Sequence, residues 1–105
     1  MNYQSIDIEQ GNQLIVEKNP IVVDVRDGGS FQAAHIKNAL SVNGTNLDDF
    51  LQNSEKSKPL LVYCYHGNMS RSAAEYFSGA GFDDVYSLDG GFESWKLKYP
   101  VESGG

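Results

Sequence analysis

The stretch from Leu60 to Ala74 limits what this chain can become more than any other. Pro59 opens the apolar run Leu60-Leu61-Val62-Tyr63. A run this short with no polar residue predicts a strand buried on both faces, as in a parallel sheet. Cys64, the one cysteine of the chain, stands where that strand ends. Ser70 is a good N-cap residue, and it is predicted to open a helix. Ala73, Ala74, Phe77 and Ala80 then recur at helical spacing, and Gly79 and Gly81 mark the end. The loop Cys64-Tyr65-His66-Gly67-Asn68-Met69-Ser70 is therefore short, with a glycine in its middle.

A short loop that closes onto a helix N-terminus turns several backbone N–H groups inward and forms a bowl for an anion. A thiol at its rim has its thiolate stabilised by those donors and by the helix dipole. No acidic residue lies between Cys64 and Ala74, whereas His66 and Arg71 do. By residue type alone a lone cysteine at a strand end is a small buried hydrophobe. The glycine loop and the helix start supply what a thiolate needs, and they favour the chemical reading.

The rest of the chain alternates strands and helices. Tyr3–Ile6 is predicted as a first strand, and Asp7 with Gln10 as a capping box opening a helix to Lys18. Ile21–Val25 is β-branched and suits a central strand. Arg26–Gly29 is expected to turn, with Ser30 capping a short helix to Ala34. A third strand is placed near Leu40–Val42, then a helix with Leu47, Phe50 and Leu51 capped by Thr45 or Asn46. Asp84–Leu88 is predicted as the last strand, and Asp89-Gly90-Gly91 as a turn into a helix with Phe92 and Trp95 that stops near Tyr99-Pro100. Residues 101–105 read as a tail. This order predicts an α/β fold over residues 1–105: one open, mostly parallel sheet of about five strands with helices on both faces. Ligands in such sheets bind beyond the carboxyl ends of the strands, where Cys64, Arg26 and Asp89-Gly90 are all expected.

Composition excludes several functions. The net charge of −6 leaves no basic stripe for nucleic acid or for an anionic membrane. A single cysteine excludes an internal disulfide and a cysteine-only metal site, and the spacing of His35, Cys64 and His66 matches no zinc motif. No cationic-then-apolar leader or bilayer-length apolar run is present, and a free thiol suits a reducing cytoplasm.

Three groups of residues together resemble the rhodanese family. They are Asp24-Val25-Arg26 with Phe31 and His35-Ile36; Cys64-Tyr65-His66-Gly67-Asn68-Met69 with Ser70 and Ala73-Ala74; and Leu88-Asp89-Gly90-Gly91-Phe92-Glu93-Ser94-Trp95. They run in the family's order from about Val22 to Trp95. The resemblance implies a single rhodanese domain whose signature-bearing part spans about 5–100. It implies a thiosulfate:cyanide sulfurtransferase that carries sulfur as a persulfide on Cys64, with no metal or other cofactor. Its partners would be thiosulfate and a small thiophilic acceptor such as cyanide or a thiol, or a sulfur-accepting protein. The binding residues implied are Tyr65, His66, Gly67, Asn68, Met69, Ser70 and Arg71. Many family members place Arg where Met69 stands, so loop amides, helped by Arg71, are expected to bind the substrate here.

Other residues have plainer expectations. Arg26 is expected to anchor loops through Asp24 or another acid, His66 to be solvated or bonded locally, His35 to be a structural hydrogen bonder, and Phe92 and Trp95 to pack. A cysteine phosphatase would need Arg at the sixth position after the cysteine, where Ser70 stands. A binding module that hands sulfur to a protein without turnover is the alternative that keeps the cysteine meaningful. A redox sensor would lack a resolving cysteine.

Overall fold

The computed structural model describes residues 2–104. Five strands form one parallel sheet in the order β1-β6-β5-β2-β4: β1 (Gln4–Ile6), β2 (Ile21–Asp24), β4 (Leu40–Ser41), β5 (Leu60–Tyr63) and β6 (Val85–Leu88). The sheet registers Val23 with Val62 and Val62 with Ser87, so the buried run of β5 lies at its centre. All four β5 residues are fully buried, as their unbroken apolar character predicts. Alternation splits them between two cores. Leu61 and Tyr63 join Ile6, Val22, Leu88, Phe92 and Trp95 on one face, with Leu14 and Ile15 of helix α1 (Ile8–Lys18) against them. Leu60 and Val62 join Val23, Ala74, Phe77 and Phe82 on the other, under α3 (Leu47–Asn53) and α4 (Asn68–Gly79). Each such side chain contributes about 1.5–3 kcal/mol on burial. The double-sided cover holds the carboxyl end of β5, and with it Cys64, in one place.

Most element ends follow local chemistry. Asp7 and Gln10 form the expected capping box, with Gln10 N–H donating to Asp7 Oδ1 at 2.8 Å and Asp7 N–H to Gln10 Oε1 at 3.0 Å. Helix α2 (Gly28–Ala33) departs from expectation. Its cap is Asp27 rather than Ser30, because the Asp27 carboxylate reaches back to the Ser30 N–H at 2.8 Å, and Gly28-Gly29 form the first helical turn. Asn46 is the N-cap of α3, but its side chain bonds Ser41 O and Asn43 N instead of the helix. Helix α5 (Gly91–Trp95) is shorter than predicted and gives way to turns after Trp95.

The end of the chain also differs. Val101–Glu102, read as the start of a tail, form β7 and pair antiparallel with β3 (His35–Ile36). Gly104 N–H donates to Gln32 O at 2.8 Å, while Gly105 lies outside the described residues. His35 supports this second small sheet from the inside. Its ring stacks on Phe31 at 3.8 Å, Nδ1 lies 2.8 Å from Phe31 O, and Nε2 lies 3.3 Å from Glu102 Oε1. That is the structural role expected of it. No described helix is long and apolar enough to cross a membrane.

One buried ion pair ties the rim of the sheet together. Arg26 Nη2 donates to Asp24 Oδ2 at 2.7 Å and to Ala34 O at 2.7 Å, and the guanidinium lies 4.2 Å from the Phe92 ring centre. Burial disfavours its charge, but the hydrogen bonds and attraction of Asp24 outweigh this and hold its pKa above the ordinary value. Arg26 thus anchors β2, α2 and α5 to one another, as the sequence suggests. Removing one partner of such a pair leaves an uncompensated buried charge. Asp24→Ala is expected to lower unfolding stability in urea by about 3–5 kcal/mol; a loss under about 1 kcal/mol would show that the pair is not buried in solution.

Candidate active site

The strand β5 delivers Cys64 to the carboxyl edge of the sheet, and α4 begins four residues later. The predicted N-cap is corrected here. Gly67, not Ser70, caps α4, in a left-handed conformation with φ 104°. A side chain at Gly67 would also approach Gly90 N at 3.2 Å and Leu88 O at 3.3 Å. Ser70 therefore falls in the first helical turn, fully buried, with its amide free of an intrahelical partner.

That free amide points at the thiol. Ser70 N–H donates to Cys64 Sγ at 3.2 Å and Gly67 N–H donates to it at 3.3 Å. Burial alone would push the thiol pKa up. The Ser70 hydroxyl and the amides of Ser70, Gly67 and His66 more than offset this, and the thiol titrates below the ordinary cysteine range. The bowl of main-chain donors expected from the loop is present, with Cys64 Sγ as its acceptor.

The bowl is held open from behind by α5. Phe92 N–H donates to Cys64 O at 2.8 Å, and Glu93 N–H donates to Tyr65 O at 3.1 Å. In a trans peptide the carbonyl and the next N–H point opposite ways. Drawing the Tyr65 carbonyl toward α5 therefore turns the His66 N–H away from α5. This contact requires a very close approach. Gly91 has φ 58°, and a Cβ there would lie 2.5 Å from Tyr65 O and 2.6 Å from Cys64 O.

Cys64 is 1% exposed, yet it floors a pocket of about 120 Å³ lined by Tyr65, His66, Asn68 and Met69. Those four are among the seven binding residues named from sequence; Gly67 and Ser70 contribute amides to Cys64 Sγ instead. Arg71 does not line the pocket. It faces Asp89 across 3.4 Å, with both side chains about half exposed. His66 and Met69 are exposed. Tyr65 is fixed by a brace that sequence reasoning missed: its hydroxyl donates to Asp27, and Ser30 Oγ lies 3.0 Å from it. The Tyr65 hydroxyl and then Ser30 hold the Asp27 carboxyl down to about 2. The Arg26 guanidinium lies 5.6 Å from the Tyr65 ring centre on the inner side. The Gly90-Gly91 pair reads in sequence only as a turn, not as a close approach to the Cys64 loop, and nothing local in sequence marked Asp27 as a partner of Tyr65. No group of three or more His, Cys, Asp or Glu among the described residues is placed to hold a metal.

A parallel five-stranded sheet with a cysteine loop at its carboxyl edge defines a class, and comparison with known proteins agrees. The chain belongs to the rhodanese-like domain family, which matches residues 7–98. It is 46% identical over 101 residues to the thiosulfate sulfurtransferase GlpE of Pseudomonas putida, covering 96% of this chain and 92% of that protein. It is 48% identical over 90 residues to the protein of that name from Pseudomonas fluorescens, covering 86% and 83%. Among solved structures, the rhodanese-like domain of the Anabaena Alr3790 protein superposes with a TM-score of 0.85 at 28% identity, covering 98% of this chain and 80% of that one. The BH2092 protein of Bacillus halodurans gives 0.82 at 33% identity, covering 96% and 77%.

Two outcomes follow from the geometry. The rate of Cys64 alkylation by iodoacetamide is expected to rise with pH to a midpoint below the ~8.5 of a free cysteine; a midpoint above it would mean that burial dominates. Gly91→Ala is expected to cost about 1–3 kcal/mol in a denaturant titration and to raise that midpoint, while Gly28→Ala, with open space around its Cβ, moves neither by a comparable amount.

Proposed function

We propose that this chain is a thiosulfate:cyanide sulfurtransferase in which Cys64 carries the sulfur. The observation that carries this reading is the pair of amides, Gly67 and Ser70, aimed at Cys64 Sγ from the floor of a small pocket. The GlpE relatives' printed activity, at 46% identity across nearly the whole chain, supports it. The family match over residues 7–98 supports 5–100 as the functional unit.

The thiolate of Cys64 attacks the outer sulfur of thiosulfate. The S–S bond of thiosulfate breaks, sulfite leaves with the bonding pair, and Cys64 becomes a persulfide. Cyanide or a thiol then attacks the terminal sulfur, and the Cys64 thiolate leaves with its electron pair. Both half-reactions place negative charge on sulfur at the mouth of the bowl, where fixed N–H donors are already aligned. One such donor is worth roughly 3 kcal/mol in comparable enzymes. The persulfide is the only carrier these steps require, so no metal or cofactor enters them. Thiolate chemistry of this kind suits a reducing cytoplasm.

The pocket selects for small partners. At about 120 Å³ it admits a thiosulfate or a small nucleophile, and a larger acceptor would have to present its sulfur-accepting atom at the rim. No Lys or Arg lines it among the described residues. Substrate charge is therefore met by amides and the helix dipole, with Asn68 and His66 at the edge.

The experiment is intact mass after incubation with thiosulfate. The protein is expected to gain one sulfur atom and to lose it to cyanide with release of thiocyanate, while Cys64→Ser gains nothing and an aryl phosphate is left intact. Failure of the wild type to gain sulfur would contradict the proposal. Met69→Arg is expected to lower the KM for thiosulfate about fivefold, the size of one partly exposed charge pair, with little change in alkylation by neutral iodoacetamide. An unchanged or higher KM would show that charge at this position does not limit binding.

A further inference from the structure

Tyr65 directly follows the thiol in sequence, lines its pocket and is held at both ends. Its carbonyl accepts from the Glu93 N–H of α5 at 3.1 Å. Its hydroxyl donates to the Asp27 carboxylate at the start of α2. The pairing of Asp24 with Tyr63 brings both loops out of the same edge of the sheet, so residues 38 apart in sequence meet.

Asp27 divides its two oxygens between two tasks. Oδ1 accepts the Ser30 N–H at 2.8 Å and caps α2. Oδ2 accepts the Ser30 hydroxyl at 3.0 Å and the Tyr65 hydroxyl. The two hydroxyl oxygens lie 3.0 Å from each other, so the three groups close a triangle. A helix cap needs only the first task. The bond to Tyr65 serves the pocket instead. The Arg26 guanidinium, 5.6 Å from the Tyr65 ring centre, attracts the ring from the inner side.

The opening is where this tether matters. Cys64 is 1% exposed, and a reactant reaches it through a pocket of about 120 Å³. Of the residues that line it, His66, Asn68 and Met69 are exposed, whereas Tyr65 is half-buried and tied down. Resting on Cys64 as the reacting group proposed above, we infer that Asp27 is a positioning residue that sets which reactants reach the thiol by size. Asp27 touches no substrate; it acts through Tyr65. By pinning the hydroxyl it keeps that wall of the pocket in place, so small donors and acceptors enter and bulky ones are turned away. Without the pin Tyr65 is tied to α5 only through its backbone, and the opening widens in a larger fraction of molecules.

Cys64 is the only cysteine, so alkylation reads this opening alone. The test is the rate constant for a bulky reagent, N-(1-pyrenyl)maleimide, divided by that for iodoacetamide. Both reagents need the thiolate, so the ratio cancels any change in its ionisation. Tyr65→Phe removes the hydroxyl and leaves the α2 cap intact. Asp27→Ser keeps a capping side chain that is too short to reach Tyr65. Each is expected to raise the ratio about fivefold, the size of one partly solvated hydrogen bond to a carboxylate, and the double variant to raise it no further. A ratio equal to wild type in either single variant, whatever its unfolding stability, would make the triangle structural only and overturn the inference. Increments that multiply in the double variant would overturn it too. Alkylation needs no sulfur transfer. Sulfur uptake from thiosulfate by the wild type is scored separately, so its failure contradicts the enzyme reading, while an unchanged ratio contradicts the size filter.

Discussion

The structure depends on two backbone hydrogen bonds from the start of α5 to the Cys64 loop. Phe92 and Glu93 donate to the carbonyls of Cys64 and Tyr65 and pull both away from the thiol. What remains facing Sγ is a set of N–H groups. Each bond is worth only about 0.5–1.5 kcal/mol to folding. Their larger effect is on the sign of the field at the sulfur. With the carbonyls reversed, the same loop would repel a thiolate instead of holding it.

Everything around this contact serves to make it possible. Gly91 permits the close approach that any side chain would block. The Asp24–Arg26 pair, with its guanidinium against Phe92, holds α5 at the rim of the sheet. The two cores fix β5 from both faces, so the position of Cys64 does not depend on the loop alone. Gly67 takes the left-handed cap of α4 and frees the Ser70 amide to face the thiol. The overall charge of −6 plays no part in this. The local field is set by dipoles, and Met69 and the paired Arg71 leave the pocket without a free guanidinium or ammonium group.

Much of this was legible in sequence, for definite reasons. The unbroken apolar run of β5 signals double burial, and the Asp7–Gln10 spacing signals a capping box. Cys64 at a strand end before a glycine loop signals a thiol that faces loop amides. The strand and helix order follows from turn residues between apolar runs. What could not be seen depends on distant parts meeting. Ser70 looks like a cap by residue type, but Gly67, pressed against Leu88 and Gly90, takes that place. Val101–Glu102 look like a tail because their partner, His35–Ile36, lies far back in the chain. Tyr65 and Asp27 are 38 residues apart and meet only once β2 and β5 are neighbours. Ser87 of β6 and Ser70 of α4 are 17 residues apart, and their hydroxyls meet at 2.8 Å only in the folded chain.

The central claim is that main-chain N–H groups of the loop, rather than a side-chain cation, hold the charged sulfur. The most direct measurement follows the backbone amide resonances of His66, Gly67 and Ser70 by NMR while pH is carried through the Cys64 titration. All three are expected to shift with one shared midpoint, that of the thiol, while Phe92 and Glu93 amides stay protected from exchange. If the Gly67 and Ser70 amides stay still as the thiol ionises, or track some other group, the cradle is not what stabilises the thiolate.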